Sequence, residues 1–207
     1  MSIIQRSGIY GSFFGSTFES SGTLTDEQKK ANALYIYRFL KKESWSTNAI
    51  AAIIGNMEAE SGLNPGRWQS DNVGNTAAGY GLVQWTPATK YIDWCEAKGY
   101  EDASHMDSGL NRILFEVWND LQWIQTEAYN YSFSDFTKST ENAGALAIAF
   151  LLNYERPADQ GAAVQEYRSE LASNWYTYLI GSGGNQSRKR KRKKYKFVLF
   201  NRRRILN

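Results

Sequence analysis

Two short stretches hold residue types that could do chemistry together. Gly55-Asn-Met-Glu-Ala-Glu-Ser-Gly-Leu-Asn-Pro-Gly66 carries two carboxylates at the end of a predicted helix. Gly79-Tyr-Gly-Leu-Val-Gln-Trp-Thr-Pro87 is a turn rich in glycine and aromatics, with one amide. A carboxylic acid held against an aromatic, amide-bearing wall can protonate a glycosidic oxygen. Glu58 and Glu60 are two residues apart, about 200° around a helix, so one site takes only one of them. The apolar stripe Ile50, Ile53, Ile54 and Met57 has the two acids at its opposite edges and does not choose between them. Position along the helix leans to Glu60. At the C-terminal end the negative pole of the helix dipole and partial burial both favour a neutral acid. Glu58 reads as a solvated or ion-paired helix residue.

These residues need elements to position them. Thr25-Asp-Glu-Gln28 has capping-box form and predicts a helix to about Lys42. A second helix starts near Ser46 or Thr47 and runs to about Glu60, stopped by Gly62 and Pro65. Residues 63–85 read as a loop with short strand pieces around Trp68–Gln69 and Leu82–Trp85. Thr86-Pro87 reads as a cap followed by proline at the first helical position, with the helix reaching Lys98 and ended by Gly99. Leu110, Ile113, Leu114, Val117, Trp118, Leu121 and Ile124 recur at helical steps, with Asp107 or Ser108 as the expected cap. Thr140 is the expected cap of an all-round apolar helix through Tyr154, which must be buried. A last helix is predicted over Gln160–Leu179.

The chain has 207 residues and 42% hydrophobic content, enough for one well-buried domain. Its 7 Trp, 13 Tyr and 10 Phe can fill a core or stack on sugar faces. Cys95 is the only cysteine, so no disulfide framework exists, and His105 is the only histidine. A Ser–His–Asp hydrolase would have to use His105, which sits in a polar stretch. No zinc-ligand spacing appears, so neither metal nor cofactor is expected. No run of roughly 18 apolar residues predicts a membrane span. Residues 1–8 lack the apolar core of a signal peptide, so export by that route is not expected.

The net charge of +3 hides an asymmetry. Of 24 basic residues, 11 lie beyond residue 181 with no acid among them, which leaves 13 against 21 acidic residues over 1–181, a net of −8. Three parts follow: an irregular segment 1–23, a domain over 24–180, and a linker with a basic tail over 181–207. Arg188–Arg204 suits either solvent or an anionic partner.

Glu60-Ser61-Gly-Leu-Asn-Pro65 followed by Gly79-Tyr-Gly-Leu-Val-Gln84 resembles the Glu-Ser and Gly-Leu-x-Gln signatures of the lysozyme superfamily, which includes goose-type lysozymes and soluble lytic transglycosylases. With Asn153-Tyr-Glu-Arg-Pro157 added, the chain over residues 25–180 is most similar to the phage tail lysozyme domain of tail-tip proteins. The resemblance implies a mainly α, lysozyme-like domain with a small irregular or hairpin element after the catalytic helix. It implies a muramidase on the virion tail tip, opening the host wall during DNA delivery. The partners would be peptidoglycan glycan strands and other tail proteins. It makes Glu60 the catalytic acid, puts Tyr80, Gln84 and Trp85 on the sugar groove, and sets Tyr154 near the acid. Arg156 fits a structural pairing with Glu155 or a substrate contact.

A direct hydrolase usually needs a second carboxylate. Asp71, in the facing loop, is the candidate, and Asp93 falls on the outer face of the next helix. Without a second carboxylate, one acid/base could use the substrate's own hydroxyl, as lytic transglycosylases do. Two other classes stay open: a non-catalytic glycan-binding module, and a binder of nucleic acid or another acidic surface acting through residues 188–204.

Overall fold

The computed structural model describes residues 3–181. The linker and basic tail predicted from the sequence therefore lie almost wholly outside the described residues.

Helix α1 (Asp26–Lys42) starts at the predicted capping box: Thr25 accepts from the Gln28 amide while the Gln28 side chain accepts from the Thr25 amide. Helix α2 (Thr47–Ser61) is capped by Ser46 and ends at Gly62, whose left-handed φ of 63° turns the chain without a Cβ penalty. The order continues with α3 (Thr89–Ala97), α4 (Met106–Trp118), α5 (Phe133–Lys138), α6 (Ala143–Phe150) and α7 (162–181). The fold is mainly α, as the sequence predicts. The apolar α6 packs along α2 and forms the centre of the core.

Residues 1–23 were expected to be irregular, and the structure corrects this. Strands β1 (Ile3–Gly8) and β2 (Gly11–Ser16) form an antiparallel hairpin, with Ile3 opposite Ser16 and Gly8 opposite Gly11. Two buried asparagines hold it. Asn32 on α1 brackets Phe14, accepting from its amide at 2.7 Å and donating to its carbonyl at 2.7 Å. Asn64, just past α2, accepts from the Ser16 amide and donates to the Ser16 hydroxyl. These amides satisfy backbone groups that would otherwise be buried unpaired.

Several helix boundaries also differ from the prediction. Helix α3 begins two residues after Pro87, because the Thr86 hydroxyl donates to the Gln84 carbonyl instead of capping. His105 caps α4, its Nδ1 accepting from the Asp107 amide, so the lone histidine has a structural task. Helix α4 stops at Trp118 although the apolar spacing continues. Asp120 and Gln122 take left-handed conformations, and Trp118, Leu121 and Ile124 are exposed. Asn142, not Thr140, caps α6. Helix α6 then gives way to one π-helical turn over Leu151–Glu155, closed by the Arg156 amide on the Leu151 carbonyl at 2.8 Å. Pro157 disfavours helical geometry at Arg156, which leaves with a left-handed φ of 49°.

Among the described residues no helix is long and apolar enough to cross a membrane.

Candidate active site

Ser61 joins the two stretches that opened the sequence reading. Its hydroxyl lies 2.9 Å from both the Met57 and the Leu82 carbonyls, pinning the Gly79–Pro87 turn to the last turn of α2. Within that turn Tyr80 bridges backbone to both Trp68 and Trp85, which is the small β element expected after the second helix. A row of rings backs it: Trp68 against Tyr80 at 4.3 Å and Trp85 stacked on Tyr91 at 4.3 Å between centroids.

A cleft of about 600 Å³ opens in front of this wall, lined among others by Glu60, Gln84, Trp85, Tyr154, Glu155 and Arg156. The structure therefore brings four of the six expected site residues to one cavity. Gln84 stands there with a left-handed φ of 50°. Its Nε2 donates to the Arg67 and Gly81 carbonyls at 3.1 and 2.9 Å, so Oε1 is the end it can offer a sugar hydroxyl. A Cβ on Gly79 would lie 2.9 Å from that oxygen, so only glycine leaves it in place.

The other two residues need correction. Tyr80 has no exposed surface and lies beneath the wall, so its ring supports Trp68 rather than facing a sugar. Asp71 sits at the end of a 3-10 turn (Gln69–Asp71) outside the cleft lining. Its oxygens are engaged by the Ser21 hydroxyl at 2.6 Å and by Arg67 at 3.0 Å.

Trp85 and Tyr154 border the cleft but are almost wholly buried, and their polar ends turn inward. The Trp85 indole N–H donates to Glu116 at 3.0 Å, and the Tyr154 hydroxyl donates to the other oxygen of the same carboxylate. Arg112 completes the set at 2.8 Å. Burial raises Glu116 above the ordinary carboxylate range, and these three donors oppose the rise. Burial first, then the Glu116 charge, pushes the Tyr154 hydroxyl well up, so it remains a donor. Glu116 thus ties the wall, α4 and the π turn together. The sequence signal for it was an Arg–Glu pair four residues apart in α4.

The two acids of α2 part company as the helical angle requires. Glu58 is held by Lys29 at 2.9 Å and by the Trp175 indole at 2.7 Å. Glu60 faces the cleft with its side chain 22% exposed and forms an ion pair with Arg168 of α7. Close packing lets α7 reach it: a Cβ on Gly55 would lie 2.7 Å from the Ala172 backbone nitrogen. Arg168 also donates to the Asn56 carbonyl at 2.8 Å and approaches Glu155 at 3.6 Å. The Glu155 side chain is only 5% exposed and neither of its oxygens has a hydrogen-bond partner among the described residues. Burial, then the Glu60 charge, raises Glu155 well above the carboxylate range, against the pull of Arg168. Arg156 does not pair with Glu155; it donates to the Gln122 and Asn153 carbonyls. Sequence reasoning missed Arg168 altogether.

The only cysteine is buried, and burial pushes the Cys95 thiol up to about 11, which leaves it unreactive. Among the described residues no group of three or more His, Cys, Asp or Glu side chains could hold a metal ion.

The sequence profile described as phage tail lysozyme matches residues 31–179. Morphogenesis protein 1 of Bacillus phage B103 is 45% identical over 166 residues, covering 80% of this chain and 44% of that protein. The chain thus spans less than half the length of this curated relative.

Proposed function

This chain belongs to the phage tail lysozyme family, and on that premise we propose that it cuts the glycan strand of peptidoglycan, with Glu60 as the general acid. The observation that carries the reading is the position of Glu60: a partly exposed acid at the end of α2, in one cleft with Gln84, Trp85 and Tyr154. A sugar in that cleft would present its glycosidic oxygen to Glu60 and its hydroxyls to Gln84 Oε1. Proton transfer from Glu60 to the leaving oxygen lets the bond to the anomeric carbon break through an oxocarbenium-like state. The wall that faces this step is rigid because Ser61, Glu116 and the stacked rings fix it.

The hydrolytic form of the proposal needs a second carboxylate; Asp71, the residue expected for it, lies outside the cleft lining, next to Gln69 and Ser70, which do line it. The engagement of both Asp71 oxygens by Ser21 and Arg67 favours a second form, lytic cleavage, in which a hydroxyl of the substrate attacks the anomeric carbon. Mass spectrometry of digested peptidoglycan separates them: reducing muramic acid ends mean hydrolysis, and anhydro ends mean lytic cleavage. Wall binding with neither product would replace the enzyme reading by that of a glycan-binding module.

The family description and the morphogenesis name of the phage relative support a place on the virion. We place the domain on the tail tip, opening the host wall locally for DNA delivery, in contact with other tail proteins. An anionic partner for Arg188–Arg204 is proposed on charge alone.

A further inference from the structure

We propose that Glu60 and Glu155 share one proton beside Arg168, with Glu155 holding it in the free protein and Glu60 receiving it when a glycan fills the cleft. The inference rests on the reading of Glu60 as the general acid. It makes Glu155 a positioning residue, acting on the substrate through Glu60.

The geometry starts with one cation for two carboxyl groups. Arg168 is fixed by the Asn56 carbonyl at 2.8 Å, pairs with Glu60 through Nη2, and faces Glu155 from Nη1 at 3.6 Å. Two ionised carboxylates would leave a net negative charge in a mostly dry site, which is costly. A single proton on the pair makes the three groups neutral together. Exposure decides where it rests. Glu60 keeps 22% of its side-chain surface in solvent and Glu155 only 5%, so the negative charge belongs on Glu60. The unpartnered oxygens of Glu155 agree: a buried carboxylate without a donor is rarely tolerated, whereas a neutral acid brings its own O–H. The raised affinity of Glu155 for its proton, caused by burial and then by the Glu60 charge, points the same way. Among the described residues, the charged groups facing Glu155 are Glu60 from α2 and Arg168 from α7. The guanidinium of the neighbouring Arg156 is engaged by the Gln122 and Asn153 carbonyls.

In this resting state Glu60 is ionised and cannot act as an acid. Glu60 and Glu155 both border the same cleft, Glu60 with its carboxylate partly exposed and Glu155 buried behind it, so a bound sugar changes the balance. It covers Glu60, removes the water that favoured its charge, and brings the two acids to similar dryness. The proton then passes from the Glu155 carboxylic acid to the Glu60 carboxylate, leaving Glu155 as the anion facing Arg168. Glu60 delivers that proton to the glycosidic oxygen, which also takes the electron pair of the broken bond. The water or hydroxyl whose oxygen attacks the anomeric carbon returns a proton to Glu60, and the site is restored with none gained or lost. The acid is armed only under substrate.

The test is the pH profile of glycan-end release for the full chain, Glu155→Gln, Glu155→Asp and Glu60→Gln, with KM and kcat separated. Glutamine cannot supply a proton, so a filled cleft no longer re-arms Glu60. The high-pH limb of kcat in Glu155→Gln should therefore move down by about one pH unit or more, a roughly tenfold loss on that limb, with recovery toward low pH and KM unchanged. Glu155→Asp should keep the limb near that of the parent. A limb that stays in place in Glu155→Gln, or a rate lowered by the same factor at every pH, overturns the inference. Glu60→Gln separates the two readings. Full activity there sinks the general-acid assignment itself, whereas an inactive Glu60→Gln beside an unmoved limb in Glu155→Gln sinks only the shared proton. Should Glu155→Gln fail to fold, an NMR titration of side-chain carboxyl carbons in the unaltered chain decides. Glu155 should remain neutral where exposed glutamates are ionised, and an ionised Glu155 there contradicts the proposal.

Discussion

Arg168 lies 108 residues from Glu60 in the chain, yet its guanidinium closes on the Glu60 carboxylate and is itself nearly buried. Helix α7 thereby reaches the end of α2, where the proposed chemistry occurs. Removing one partner of such a pair leaves an uncompensated charge, worth about 3–5 kcal/mol for a fully buried pair. Glu60 is partly exposed, so Arg168→Met should cost about 3 kcal/mol, at the low end of that range. Denaturant titration of the variant against the parent measures this.

The raised proton affinity of Glu155 has a stability consequence of definite sign. In the unfolded chain the group titrates near its ordinary value of about 4.3, and in the folded chain above it. The stability it contributes is complete below the unfolded value and is lost as pH rises through the folded one. Thermal melts from acid to neutral pH should therefore show a decline in the parent that is shallower in Glu155→Gln. Glu155→Gln should be the more stable protein at the upper end of the range.

Tyr154 gives its hydroxyl to Glu116 and is almost wholly buried at the edge of the cleft. Tyr154→Phe removes one donor from a buried carboxylate, at a cost of about 1.5–3 kcal/mol. It should leave KM for the glycan unchanged. Paired denaturation and steady-state kinetics check both halves, and a large rise in KM at unchanged stability would mean that the hydroxyl meets the sugar.

Gly55 sits where α2 and α7 touch through backbone. A methyl group there has no room beside Ala172, and overpacking of this kind costs about 1–3 kcal/mol. Because Arg168 is one turn from Ala172, Gly55→Ala should also disturb the Glu60 pair. Stability and wall-cleaving rate should fall together.

The sequence was most legible where local rules suffice. The capping box at Thr25 and the Ser46-to-Gly62 span of α2 follow from nearest neighbours along the chain, and both helices stand as predicted. The hairpin at residues 3–16 was not legible, because its strands are poor in pattern and its anchors, Asn32 and Asn64, lie far away in sequence. Helix α4 was overextended because Leu121 and Ile124 keep helical spacing while the backbone has already turned at Asp120. Within the site, Glu60 and Gln84 carry local signatures. Glu116, Glu155 and Arg168 acquire meaning only through partners on other elements, and no spacing along the chain announces those pairings.

The most direct measurement is the initial rate of new sugar-end release from purified peptidoglycan by the parent and by Glu60→Gln, with folding matched by thermal melts. Removing a general acid typically costs about 10²–10⁴-fold in rate, and a loss of that size at unchanged thermal stability is the predicted result. Release by Glu60→Gln at the rate of the parent would contradict the account.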